Sequence, residues 1–350
     1  MRRVIQCVLL AAGAVLLVAM VRAVGVARIA GDLQRLGWGF LAVVAIELTL
    51  DGCNTAGWRR TLEPSHRIGF WRLFWVRQAG TAVNQLTPTA TLGGELVKTM
   101  LLKAHIATVD AVASLIAARM TFALAQAALC VTGLVIAVQR LGDSPELAIA
   151  LVTAAALLIL GIASFILLQR RGMFAALTRG TRWAGVQPQW LTRLHGSARG
   201  LDQRLGRFYG RRTTALAASV AWHLAAQSLS VLQLLFILHA LGVPTSIFTA
   251  LAIEGCALVI DGALFFVPAR LGVQEGGRVL VFTALGPGAA IGLSVAVVVR
   301  LTQLVVSTIG LAAFGYLSLT NARVAVPLDD AGDPRALRPV ATNVHPTRTA

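Results

Sequence analysis

The sequence predicts an all-α polytopic membrane protein with about seven to nine transmembrane segments. Two of these are re-entrant segments broken by Pro and Gly within an internal repeat. Three observations carry this prediction. The chain is 57% hydrophobic, with a mean hydropathy of +0.74. Only 13% of its residues are charged, against about 25% in a soluble domain. Its apolar residues also gather in long uncharged runs: 22 residues from Leu147 to Leu168, 19 from Met120 to Val138, 21 from Val279 to Val299 and 19 from Leu301 to Leu319. About 20 apolar residues cross a bilayer. A soluble helix would carry polar residues at helical spacing through such runs.

The first apolar run, 4–26, follows Met1-Arg2-Arg3 and outlasts the core of a usual signal peptide, so it reads as a retained span. Further spans fall at 38–57, 109–138, 146–169, 213–241, 246–267 and 289–319. Segments 74–104 and 268–288 contain Pro and Gly and read as re-entrant pairs. Irregular backbone survives at membrane depth only where protein or a water-filled cavity covers it. The tail after Asn321 is rich in Pro, Asp, Arg and Thr, which predicts disorder over 322–350. Residues 1–321 then form one integral membrane domain.

The formal net charge is +16, nearly all from Arg, since Lys98 and Lys103 are the only lysines. Residues 170–212 hold ten Arg and one Asp, and 58–77 hold five Arg and one Glu. Such loops belong on the cytoplasmic side. This accounts for the basic charge without nucleic acid, and no zinc spacing or RNA-binding fingerprint is present. Within 189–208, Trp190, Leu194, Ala198, Leu201, Leu205 and Phe208 share a helical face and Arg193, Arg199, Arg204 and Arg207 lie off it. That pattern fits an interfacial helix on an anionic membrane surface, and the loop is also a docking surface for lipid-synthesis enzymes. Cys7, Cys53, Cys130 and Cys256 are dispersed through apolar segments and read as small core residues. No metal or cofactor is expected.

A pattern of polar residues occurs twice. The first copy reads Pro88, Gly93-Gly94-Glu95, Arg119. The second reads Pro268, Gly272-Val273-Gln274-Glu275-Gly276-Gly277, Arg300. Pro and Glu are seven residues apart in both, and Glu and Arg are 24 or 25 apart. Paired Gly/Pro-interrupted segments in two halves point to a transporter binding site. Glycine permits close backbone approach, and proline frees carbonyls by stopping a helix. Four predicted spans separate the copies, which would put both on the same side of the membrane.

Charged residues inside apolar helices sharpen the site. Arg119, Arg300, Glu47, Asp51, Glu254 and Asp261 all lie in predicted spans, where each costs roughly 3 kcal/mol or more unless paired or hydrated. The economical arrangement pairs Glu95 with Arg119 or Arg300 and Glu275 with the other. Two readings follow. The pairs are staples for the broken segments, or the Arg residues receive an anionic headgroup such as phosphate, which guanidinium fits geometrically. In the second reading Glu47, Asp51, Glu254 and Asp261 restrain the Arg residues or carry protons. Asn84 and Gln85 precede the first motif and suit capping or headgroup contact. His223 and His239 share a helix and offer a weaker proton relay.

At these residues the chain resembles a known family. The stretches GTAVNQLTPTATLGGELVK and FFVPARLGVQEGGRVLVFTALG look like the two signature regions of the lysylphosphatidylglycerol synthase/flippase membrane-domain superfamily. GVQEGG and GWRRTLEP look closest to its hopanoid-associated HpnL group. HpnL-like chains often carry Pro-Gly before the second motif, where this chain has Pro268-Ala269-Arg270. The resemblance runs from about Trp38 to Leu319. It implies a multi-pass lipid transporter or flippase of the bacterial inner (cytoplasmic) membrane, acting on hopanoid or anionic phospholipid. Carried onto this chain, its motif residues are Asn84, Pro88, Gly93, Gly94, Glu95, Arg119, Pro268, Gly272, Glu275, Gly276 and Arg300. The fused soluble aminoacyl-transfer domain has no room here, so lysyl transfer is not expected.

Three functions remain open on these residues. A lipid transporter uses the repeat directly, and no GxxxxGK[ST] signature indicates ATP as its drive. A membrane-embedded headgroup transferase would use Glu95 and Glu275 as acid and base, without HExxH or paired Asp motifs. A non-catalytic scaffold would act through 170–212.

Overall fold

The computed structural model of the chain describes residues 26–66, 68–86, 92–139, 145–170, 189–263 and 272–324. Eleven helices and no strands appear among them. They are α1 (Val26–Leu36), α2 (Gly39–Thr61), α3 (Phe70–Leu86), α4 (Leu92–Leu102), α5 (Thr108–Val138), α6 (Pro145–Arg170), α7 (Gln189–Arg211), α8 (Thr213–Ala240), α9 (Ile247–Ala263), α10 (Val273–Ala284) and α11 (Ala289–Val324). The predicted all-α polytopic class is what the chain adopts. The predicted span 4–26, Pro88, Pro268 and the tail fall mostly or wholly outside the described residues.

Five described helices are long and apolar enough to cross a membrane: α2, α5, α6, α8 and α11. Their outer faces are apolar, as lipid requires. Ile149, Val152, Leu157, Leu160 and Leu167 of α6 are all exposed. Bulky aromatics stand out near helix ends, where interfacial belts form: Trp38 before α2, Trp71 at the start of α3 and Tyr316 late in α11.

Of the segment predicted as a span at 246–267, the structure describes residues up to 263, which belong to helix α9. Helix α10 begins at Val273 and packs on α9. Helices α9 and α10 therefore form a hairpin like that of α3 and α4. Three of the long helices, α5, α6 and α8, lie between the two pairs.

The two hairpins exchange long partners. Helix α3 packs chiefly on α11, α9 chiefly on α5, and α2 and α8 form the most extensive pair of all. Glycine makes two of these crossings close. A Cβ on Gly133 of α5 would fall 2.4 Å from the Leu251 carbonyl oxygen of α9, and the Cα of Gly255 would be 2.8 Å away. A Cβ on Gly310 of α11 would fall 2.5 Å from the Gln78 carbonyl oxygen of α3. Small residues at such crossings let backbones meet and raise van der Waals contact, the main driving force between helices in lipid.

The apolar face predicted on 189–208 is covered by protein over its described side chains. Leu201, Leu205 and Phe208 of α7 are buried against Ala113 and Ala117 of α5. Tyr209 donates to Gln169 of α6 at 2.9 Å, and Arg204 pairs with Asp110 at the start of α5. The side chains of Trp190 and Leu194 lie outside the described set.

Candidate functional site

The first motif builds a cavity. Helix α4 carries Gly93 and Gly94 in its first turn. It folds back tightly on α3, where a Cβ on Gly94 would sit 2.0 Å from the Gly80 carbonyl oxygen. Asn84, near the end of α3, accepts a hydrogen bond from the Gly94 N–H at 2.6 Å. It acts as a cap lent by the neighbouring helix, satisfying one of the free donors of the α4 N-terminus.

This hairpin presents Arg77 from α3 and Glu95 and Lys98 from α4 to a cavity of about 110 Å³, well above the ~10–15 Å³ of comparable volume that admits one water. Arg119 of α5, Asn54 and Trp58 of α2 and His223 of α8 complete the polar wall. Glu95 and Lys98 pair at 2.9 Å. The Glu95 side chain keeps 34% of its exposure, and Arg119 is exposed. Beneath them Asp51 pairs with Arg77 and accepts from Gln78 at 2.7 Å. The His223 ring is buried beside Gly57, where a Cβ would meet its Nε2 at 2.7 Å. Its Nδ1 lies 2.8 Å from the Asn54 carbonyl oxygen, and its Nε2 has no hydrogen-bond partner among the described residues.

The second motif builds a counterpart around a buried Glu275. Gly272 takes φ +77, a left-handed conformation that favours glycine, to start α10. Its N–H donates to Glu275 Oε2 at 2.9 Å, and Gly276 donates to the Gly272 carbonyl at 2.8 Å. Glu275 Oε1 receives Arg300 through Nε at 2.8 Å and a terminal nitrogen at 2.7 Å. Arg278 pairs with Glu254 at 3.4 Å, and Gln274 donates to Asp261 at 3.3 Å. Glu275 is 1% exposed.

The predicted residues thus fall into two clusters. Glu95 and Arg119 line the first with Asn84 and Gly94 at its edge, and Gly272, Glu275, Gly276 and Arg300 form the second. Glu275 takes Arg300, one of the two partners expected for it. Glu95 takes Lys98 at hydrogen-bonding distance, a partner the sequence reading passed over. Glu47 accepts from Gln233 at 3.1 Å and lies in Coulombic range of Asp51, Arg77 and Glu254, between the clusters. Arg77, Lys98, Arg278 and Asn54 were missed. The signal for two of them was present: a cation stands three residues after the motif Glu in both copies, Glu95–Lys98 and Glu275–Arg278.

Among the described residues no group of three His, Cys, Asp or Glu side chains is placed to hold a metal. No curated protein and no solved structure matches the chain. The family model described as the lysylphosphatidylglycerol synthase TM region matches residues 4–310. The chain therefore belongs to the family of the lysylphosphatidylglycerol synthase transmembrane region, as a multi-pass membrane protein.

Proposed function

We propose that this protein binds the anionic headgroup of a membrane lipid in the Arg77–Lys98–Arg119 cavity and carries the lipid between leaflets of the bacterial inner membrane. The observation behind this reading is the charge on the cavity wall. Three cations from three helices meet a single lining carboxylate, Glu95, inside an apolar bundle. Each buried charge costs roughly 3 kcal/mol or more unless balanced. Arg77 is matched by Asp51 behind the wall and Lys98 by Glu95, so the cations stand gathered and balanced around a cavity that a phosphate can enter. The family's lipid chemistry agrees with this reading.

The Arg-bearing loops supply orientation. The turn after α2 and the 171–212 connection carry the basic excess and belong in the cytoplasm. The first hairpin then enters from the cytoplasmic face. Leu115 and Arg119 lie two to three turns into α5 from that face, so the cavity serves the inner leaflet. Anionic phospholipid suits the three lining cations better than a neutral hopanoid, the substrate implied by resemblance to the HpnL group.

Reconstitution into liposomes with headgroup-labelled phosphatidylglycerol, phosphatidylcholine and a hopanoid tests this by leaflet exchange. Wild-type protein should exchange phosphatidylglycerol, and Glu95→Gln and Arg119→Ala should each slow exchange by about tenfold or more while remaining folded. Absence of exchange of every lipid, with and without a proton gradient, would defeat the transport reading. Preferential hopanoid exchange would move the substrate to the neutral class.

A further inference from the structure

We infer that Glu47 is a proton site coupled to the headgroup cavity, taking up one proton each time a lipid phosphate binds there. The inference rests on the headgroup reading and adds a second cargo to it, a proton that travels with the lipid.

Glu47 lies about one helical turn before Asp51 on α2. Its Oε2 accepts from Gln233 Nε2 of α8 at 3.1 Å, and the same amide donates to the Val43 carbonyl at 3.1 Å. Asp51 on its own helix, Arg77 from α3 and Glu254 from α9 lie in Coulombic range. Arg77 pairs with Asp51, and Glu254 pairs with Arg278. Helices α5 and α11 also pack on α2. They bring Arg119, which lines the cavity, and Arg300, which Glu275 holds. His223 of α8 meets α2 at Asn54, about two turns beyond Glu47. Among the described residues, Glu47 thus has an amide for its hydrogen-bond donor and makes no direct ion pair.

The charges at and beneath the cavity balance. Arg77, Lys98 and Arg119 stand against Glu95, Asp51 and Glu47. A phosphodiester settling on the cations brings one more negative charge and leaves the anions in excess. Asp51 keeps Arg77 and Gln78 as direct partners, and Glu95 keeps Lys98. Glu47 has no direct cation to keep. Added negative charge nearby disfavours a carboxylate, and an unpaired one in an apolar bundle is costly, so the proton goes to Glu47. The proton comes from water at the open cavity, adds to one Glu47 oxygen, and returns to water when the phosphate leaves. No other covalent bond changes. The neutral carboxyl still accepts from Gln233 through its carbonyl oxygen. The occupied cluster then carries the same net charge as the empty one, which removes the cost of taking an extra charge through the bilayer core. Because such coupling is reciprocal, a proton gradient becomes a drive for the lipid.

The test titrates the full-length protein in detergent with dihexanoyl-phosphatidylglycerol, whose phosphodiester stays ionised throughout, and reads the pH of a weak buffer. Wild-type protein should take up about one proton per lipid bound. Its affinity should then be greatest at low pH and fall about tenfold per pH unit once free Glu47 is ionised. Glu47→Gln, a fixed mimic of the neutral carboxyl, should bind the lipid without proton uptake and with an affinity that no longer follows pH. Gln233→Leu removes the amide that favours the ionised form and should move the fall in affinity to higher pH. This second variant decides the matter if Glu47→Gln does not fold, and an unchanged pH profile in it would overturn the inference. Lipid binding by wild-type protein without proton uptake defeats the inference and leaves the headgroup site standing. Uptake that persists in Glu47→Gln places the proton elsewhere, on His223 or another group, and defeats the assignment to Glu47. No binding of the lipid by wild-type protein at any pH defeats the headgroup reading and this inference together.

Discussion

The ion pair beneath the open cavity shows what single residues contribute. Asp51 is 5% exposed and is held by Arg77 and Gln78. Arg77→Ala leaves a buried carboxylate without its cation and should cost about 3–5 kcal/mol. The double variant Asp51→Asn, Arg77→Gln removes both charges and should recover most of that. Thermal unfolding in detergent reads both, and equal losses in the single and double variants would show that the two residues act separately. Arg77 was illegible in the sequence because it closes a run of five Arg that reads as a cytoplasmic loop. Helix α3 starts at Phe70, which places Arg77 two turns inside. Arg300 was legible because it is isolated in an apolar run at a spacing from Glu275 that recurs in the first copy.

At the scale of elements, the close crossings control assembly. Gly133→Leu would drive a side chain into the α9 backbone, a steric insertion that typically costs about 1–3 kcal/mol. It should lower the yield of monodisperse protein and the unfolding midpoint. Gly161→Leu on α6 meets nothing within 4 Å and should leave both unchanged. Similar behaviour of the two variants would remove the crossing from the account. The five long helices were readable to within a few residues, since hydropathy over a long run reports them directly. The packing of α10 on α9 was not, because hydropathy does not report which helix a segment packs against. Hydropathy records burial, and a helix that turns back inside protein stays as apolar as one that crosses. The same limit applied to α7, where Leu201, Leu205 and Phe208 looked fit for lipid and lie on α5.

For the whole molecule, the parity of crossings decides topology. Lys103→Cys after the first hairpin and Pro287→Cys after the second should label from opposite faces of sealed vesicles. Labelling from one face would mean an even number of crossings between them, as four predicted spans imply. The exchange of partners has a further consequence. Because α3 rests on α11, α9 on α5, and α2 on α8, the main interfaces join one half of the chain to the other. Two polypeptides cut between α6 and α8 would have to re-form all three interfaces between separate chains, since each half would lack its principal packing partners.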